Sequence, residues 1–211
     1  MSPGDRYDTT DLPEGQFEPG SNDRVLKNLI KITTWEEMQI AETEALWATE
    51  SRLLEEVEQD QSFTVQDICN MHRLWLGQIY AWARRYRQVN ISRNDFNFAM
   101  ARTIPVLMAS FEQEQLRRYT PCLFDTRDEI VQALAEVHVE LMLIHPFREG
   151  NGCLGRLLAT LMGLQAGLPP LDFSIVAGEF KEDYFRAVRA GMDRDYQPMQ
   201  LLFAEVIERS F

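Results

Sequence analysis

One segment limits what this chain can fold into: a long amphipathic helix that must stop at a His-Pro pair. Ile130, Leu134, Val137, Leu141 and Ile144 recur at four-then-three spacing and predict one buried helical stripe. Thr126-Arg-Asp-Glu129 opens the stripe as a capping box. Pro146 disfavours helix in the residue before it, so the helix ends at His145. A second helix is predicted after Gly152, with Leu154, Leu157, Leu158, Leu161 and Met162 on its apolar side. Gly167 and Pro169-Pro170 end it. Two such helices need helical partners, and the rest of the chain offers them. Thr34–Glu37 and Thr64–Asp67 are further capping boxes, and periodic segments follow at about 179–193 and 198–209. Only 88–97 reads as β, with Arg93-Asn94-Asp95 as a hairpin turn. The expected fold is all-α, a helical bundle with a small β-hairpin.

Composition narrows the function classes. The chain has 211 residues, 45% hydrophobic and 10% aromatic, the profile of an ordinary globular domain. A net charge of −12 argues against a nucleic-acid or anionic-membrane binder, because the phosphate backbone would be repelled. It leaves ATP open, since a nucleotide needs only a local positive field. Cys69, Cys122 and Cys153 are odd in number and share no metal spacing, which points to a reducing compartment. With no apolar leader or membrane-length run, a cytoplasmic location is expected. Residues 1–24 hold three of the nine prolines and three of the eleven glycines without periodicity, and read as a loop-like arm on a domain of residues 25–211.

The chemistry gathers in the turn between the two helices, His145-Pro-Phe-Arg-Glu149-Gly150-Asn151-Gly152-Cys153-Leu-Gly-Arg156. Gly150-Asn151-Gly152 leading into a helix presents unpaired N–H groups at the positive end of the helix dipole, a place for an anion. Asn151 can cap the helix or donate its amide to a phosphate oxygen. Glu149 can hold Mg²⁺, which typically takes one or two carboxylates plus substrate phosphates. The planar fork of Arg156 suits phosphate oxygens. His145, without a neighbouring metal ligand, suits a general base acting on a hydroxyl. Each residue alone has an ordinary reading: a packed histidine, a plain turn, a solvated carboxylate, and for Phe147 a core anchor. Their joint occurrence in fixed order argues for a site.

His145, Pro146, Phe147, Glu149, Gly150, Asn151, Gly152 and Arg156 resemble the signature of the Fic family, H-P-F-x-[D/E]-G-N-G-R-x-x-R. The resemblance extends over about residues 25–209, including the stretch from Trp82 to Phe98 and the segments Tyr184–Ala187 and Asp195–Met199. It implies a mostly helical Fic domain that transfers AMP from ATP to a Ser, Thr or Tyr hydroxyl of a target protein. His145 would deprotonate the hydroxyl, Glu149 would bind Mg²⁺, Gly150, Asn151 and Gly152 would hold phosphates, and Arg156 would meet the outer ones. A flap with Val89, Asn90, Ile91, Ser92 and Phe96 would clamp an extended target segment by strand addition. The family also implies a toxin-like partnership with a small antitoxin, or self-inhibition through a glutamate, for which Thr10-Asp-Leu-Pro-Glu14-Gly15 is the one match. Pro13 would break a hydrogen bond late in that supposed helix.

Cys153 departs from the signature, standing where the family has its first arginine. The missing phosphate contact keeps one alternative open, an impaired nucleotide- or partner-binding module, and the motif itself leaves open transfer of another group such as UMP or phosphocholine. Arg148, at the variable position, is expected to point elsewhere. Cys153 reads either as a packing residue or as a thiol whose ionisation a helix N-terminus eases. His72 and His138 read as structural residues, and Trp75, Tyr80 and Trp82 as a core stripe. The target and oligomeric state leave no mark in the sequence.

Overall fold

The computed structural model describes residues 12–93 and 96–211. In chain order the helices are α1 (Trp35–Glu56), α2 (Val65–Leu76), α3 (Ile104–Phe111), α4 (Arg117–Tyr119), α5 (Arg127–Ile144), α6 (Asn151–Gln165), α7 (Ser174–Ala177), α8 (Lys181–Ala190) and α9 (Gln197–Arg209). A π turn at Glu112–Leu116 joins α3 to α4. Strands β1 (Ser92–Arg93) and β2 (Phe96–Asn97) pair antiparallel between α2 and α3. The fold is mostly helical with one small hairpin, as the periodicity predicts.

Thr64 and Thr126 each form a full capping box at α2 and α5. Thr34 caps α1 through the Glu37 N–H. α6 starts at Asn151, earlier than the glycine pattern predicts, because Gly150 takes the left-handed cap position with φ 83°.

The single stripe predicted for α5 understates its role. Ala133, Ala135, Glu136 and Val139 are buried besides the stripe residues, because α3, α6, α8 and α9 all pack against α5. Each fully buried Leu, Val or Ile side chain contributes about 1.5–3 kcal/mol relative to exposure. This central helix therefore sets the position of whatever its C-terminus carries. A second, smaller core holds Met38 of α1 against Trp75 and Leu76 of α2 and the Ile79–Ala83 segment. Trp75, Tyr80 and Trp82 all lie in it, and Glu42 receives both the Trp75 indole N–H and the Tyr80 hydroxyl. The described part of the N-terminal arm packs on the body, with Glu14, Glu18 and Ser21 buried. Among the described residues no helix is long and apolar enough to cross a membrane.

Candidate active site

His145 ends α5 in the left-handed region, φ 51° and ψ 62°, and Pro146 after it disfavours the right-handed helical region at this position. Its Nδ1 lies 3.2 Å from the Met142 carbonyl. A carbonyl only accepts, so Nδ1 carries the proton and Nε2 keeps its lone pair. The ring stacks on Phe98 with centroids 3.8 Å apart. Burial pushes its pKa down to about 4 against the weaker pull of the Met142 hydrogen bond, and Arg87 and Arg93 push the same way. At neutral pH the imidazole is therefore an uncharged base.

The turn after His145 is held from inside. Asn151 accepts the Phe147 N–H at 2.9 Å and donates to the Phe147 carbonyl at 2.8 Å, closing the turn on its own first residue. That side chain is buried, so it serves the loop, and the position's offer to an anion is its backbone N–H. Phe147 is the core anchor expected, stacked on His72 at 4.0 Å. His72 is fully buried; its Nδ1 accepts the Arg84 N–H and its Nε2 donates to the Glu149 carbonyl. Among the described residues no side chain caps α6, so the first-turn N–H groups of residues 151–153 have neither cap nor helical acceptor there. Gly150 is irreplaceable here. A Cβ at that position would lie 2.6 Å from Trp75 Cζ3, with φ already +83°. Gly150→Ala is expected to cost about 2–4 kcal/mol from left-handed strain plus overpacking, read as a lowered midpoint in urea.

These elements border a cavity of about 750 Å³, lined by His145, Glu149, Gly152, Cys153 and Arg156 on one side and by α8 and the hairpin on the other. Glu149 is half exposed with Oε1 3.0 Å from Arg148. Arg148 lines the cavity as well, against the expectation that it points elsewhere. Its partners hold it there: its Nε donates to the Glu14 carbonyl and its Nη1 to Glu149. Arg156 places Nη2 3.1 Å from the Cys153 sulfur, and Glu50 of α1 faces the same cavity. Easy ionisation of Cys153 does not hold. Burial pushes the thiol up, Arg156 opposes, and the Glu50 and Glu42 carboxylates push it up further. Cys153 is a protonated packing residue beside the site.

The remaining predicted residues fall in different places. Glu14 accepts the N–H groups of Gln88 and Val89, the latter at 3.0 Å, while Arg156 has Cys153 for its partner. Thr10, the other end of that proposed inhibitory motif, lies outside the described residues. In the flap, Val89 departs from the target-clamping role. It is buried, its N–H is taken by Glu14 and its carbonyl by Arg87, so it has no backbone group left for an added strand. The side chain of Asn90 accepts the Ala101 N–H, and the Ile91 carbonyl accepts from Phe98. Ser92 and Phe96 belong to the hairpin, where Phe96 lines the cavity. His138 is buried as expected, its Nε2 2.9 Å from the Tyr184 hydroxyl.

Sequence reasoning missed three contributors. Arg87, 1% exposed, donates to the carbonyls of Ile144, His145, Val89 and Ala99 and so ties the end of α5 to the base of the hairpin. Phe98 and Glu50 meet the site from other elements. None of the three carries a local pattern in the sequence.

Comparison with known proteins agrees with this geometry. The Fic/DOC family model matches residues 62–162, from just before α2 to α6. The chain is 29% identical over 158 residues to a protein adenylyltransferase Fic of Nematostella vectensis, covering 73% of this chain and 34% of the relative. It is 27% identical over 147 residues to a probable protein adenylyltransferase Fic of Salmonella typhimurium, covering 68% and 69%. The chain thus spans about a third of the length of the first of these. In fold it is similar to the BepC effector of Bartonella tribocorum with bound AMPPNP, at TM-score 0.73 and 21% identity over 93% of this chain and 97% of that one. The segment 62–162, which holds the histidine, the turn and the arginine, is the part of the chain that matches the Fic/DOC family.

Proposed function

We propose that this chain is a protein adenylyltransferase, moving AMP from ATP to a Ser, Thr or Tyr hydroxyl of another protein. One observation carries the reading. A neutral imidazole, its proton fixed on Nδ1 by the Met142 carbonyl, opens on a cavity that also receives the uncapped N-terminus of α6. A base and an anion seat side by side are what phosphoryl-centred attack needs. His145 Nε2 takes the hydroxyl proton, the oxygen forms a bond to the α-phosphorus, and the bond to the β-phosphate bridging oxygen breaks. Pyrophosphate leaves toward Arg156. The relatives' names point the same way.

Mg²⁺ suits this site through its substrate. Among the described residues no group of three or more His, Cys, Asp or Glu side chains gathers to hold a metal. One carboxylate completed by phosphate oxygens and water is an ordinary Mg²⁺ shell, and Glu149 at the cavity edge provides it. Bound there, Mg²⁺ neutralises phosphate charge.

Incubation with α-labelled ATP, Mg²⁺ and a cell lysate tests the proposal: a labelled protein band is expected, and none with the same ATP labelled at the γ position. A band from γ-label instead would make the chain a kinase and end the proposal. The Arg156–Cys153 contact favours a second reading, a nucleotide-binding module with weak transfer, since an arginine held by a neutral thiol has one charged neighbour fewer for phosphate. Cys153→Arg separates the two. A regained charge-assisted contact is expected to tighten ATP binding about tenfold by calorimetry, with transfer rising alongside. Tighter binding without any transfer would favour the module.

A further inference from the structure

The hairpin is predicted to serve the target. Two of its aromatic side chains are also turned toward the base, Phe98 directly and Phe96 through Phe98. Phe98 stacks face to face on the His145 ring, centroids 3.8 Å apart and planes 24° apart. Phe96 meets Phe98 edge-on at 5.2 Å. The Arg189 guanidinium of α8 lies 5.7 Å from the centre of the Phe96 ring. A second contact runs the other way, Arg93 of the hairpin over Phe185 of α8 at 4.8 Å. A continuous column, Arg189–Phe96–Phe98–His145, therefore joins α8 to the imidazole across the cavity.

The backbone beside Phe98 is anchored on the helix that carries His145. The Ala99 N–H donates to the Leu143 carbonyl at 3.3 Å, and its carbonyl accepts from Arg87 at 2.6 Å. Arg87 also holds the His145 carbonyl at 2.8 Å. The two stacked rings thus stand on one frame, and neither slides without the other. A ring held only by the Nδ1–Met142 bond would keep a free rotation about that contact. The Phe98 face removes it, because turning the imidazole out of plane would break the stack.

We propose that Phe98 is a positioning residue, holding the plane of the His145 imidazole so that Nδ1 stays on the Met142 carbonyl and Nε2 faces the cavity, with Phe96 and Arg189 bracing it. This rests on His145 acting as the base. Phe98 touches no substrate in this role. It acts through the histidine, and it makes the hairpin part of the proton-transfer apparatus as well as a target rest. Small displacements matter here, since misplacing a reacting group by about 1 Å can cost roughly a hundredfold in rate.

The chain has three histidines, so their imidazole signals can be told apart by NMR on the whole 211-residue chain. Phe98→Leu is expected to remove the ring-current shift of the His145 carbon-bound protons and to blur its single Nδ1–H tautomer, with His72 and His138 unmoved. Phe98→Tyr, which restores a ring, is expected to restore both. In label transfer, Phe98→Leu is expected to lower kcat about ten- to a hundredfold with KM for ATP little changed. Arg189→Gln, at an exposed position, is expected to lower it about two- to fivefold, the worth of one exposed cation–π contact. His145 signals unchanged in Phe98→Leu, or lost there and not regained in Phe98→Tyr, would overturn the proposal. Because the spectra need no turnover, an absence of label transfer in the unaltered protein would count against the adenylyltransferase reading alone.

Discussion

Replacing His145 with Asn is expected to lower AMP transfer by about 10²–10⁴-fold, the usual contribution of a general base, while leaving the protein folded. Asparagine suits the test for a structural reason. Position 145 sits at φ 51°, and Asn is among the side chains that enter the left-handed region with least strain. Alanine there would confound lost chemistry with backbone strain. The introduced asparagine can still reach the Met142 carbonyl with its amide, but it has no group that takes a proton at neutral pH. The measurement is incorporation of α-label into protein at saturating ATP, with thermal unfolding as the control. ATP binding should persist, because the α6 N-terminus and Arg156 remain. A loss under tenfold with the fold intact would remove His145 from the role of base.

The largest effect on stability is expected at Arg87. This guanidinium is 1% exposed and feeds four carbonyls, two at the end of α5 and two at the base of the hairpin. Burial lowers its pKa to about 10, with the Glu14 carboxylate pulling back, so it stays charged at neutral pH. The partial negative charge at the α5 C-terminus is a natural neighbour for it. Arg87→Leu strands buried carbonyls that a leucine cannot satisfy, at a cost of about 3–5 kcal/mol given that bonds to charged groups are worth about 1.5–3 kcal/mol each and overlap. For a chain of this length that corresponds to a fall in Tm of roughly 6–20 °C. Arg87→Lys is expected to recover only part, since an ammonium cannot spread its donors across the plane that four carbonyls share. A loss below about 1 kcal/mol in Arg87→Leu would mean that water replaces the arginine, and that the hairpin does not depend on it.

How far the sequence discloses this molecule depends on the range of each interaction. α5 and α6 are legible because helix periodicity and capping boxes are local, written within a few residues of where they act. The His145–Arg156 segment is legible for the same reason, as its parts are consecutive. The path through Arg87 is not. Its partners lie 2, 12, 57 and 58 residues away in sequence, and nothing near position 87 announces them. Phe98 has the same difficulty, since its stack with His145 joins residues brought together by the hairpin and α5. Glu14 shows how little a short pattern fixes: the spacing says nothing of the backbone N–H groups of Gln88 and Val89 that its carboxylate accepts. Cys153 is misread for as long as the α6 N-terminus is considered alone, without the carboxylates of α1 across from it.

The clasp between Asn151 and Phe147 has one more consequence. By tying both backbone groups of Phe147 to one amide, it closes the turn before any nucleotide arrives. Fixing a residue's backbone costs about 1–2 kcal/mol of chain entropy, and in this loop that cost falls on folding. Encounter with a phosphate then needs no search among loop shapes. Capture at this seat should accordingly be limited by diffusion and by the charge around the cavity mouth.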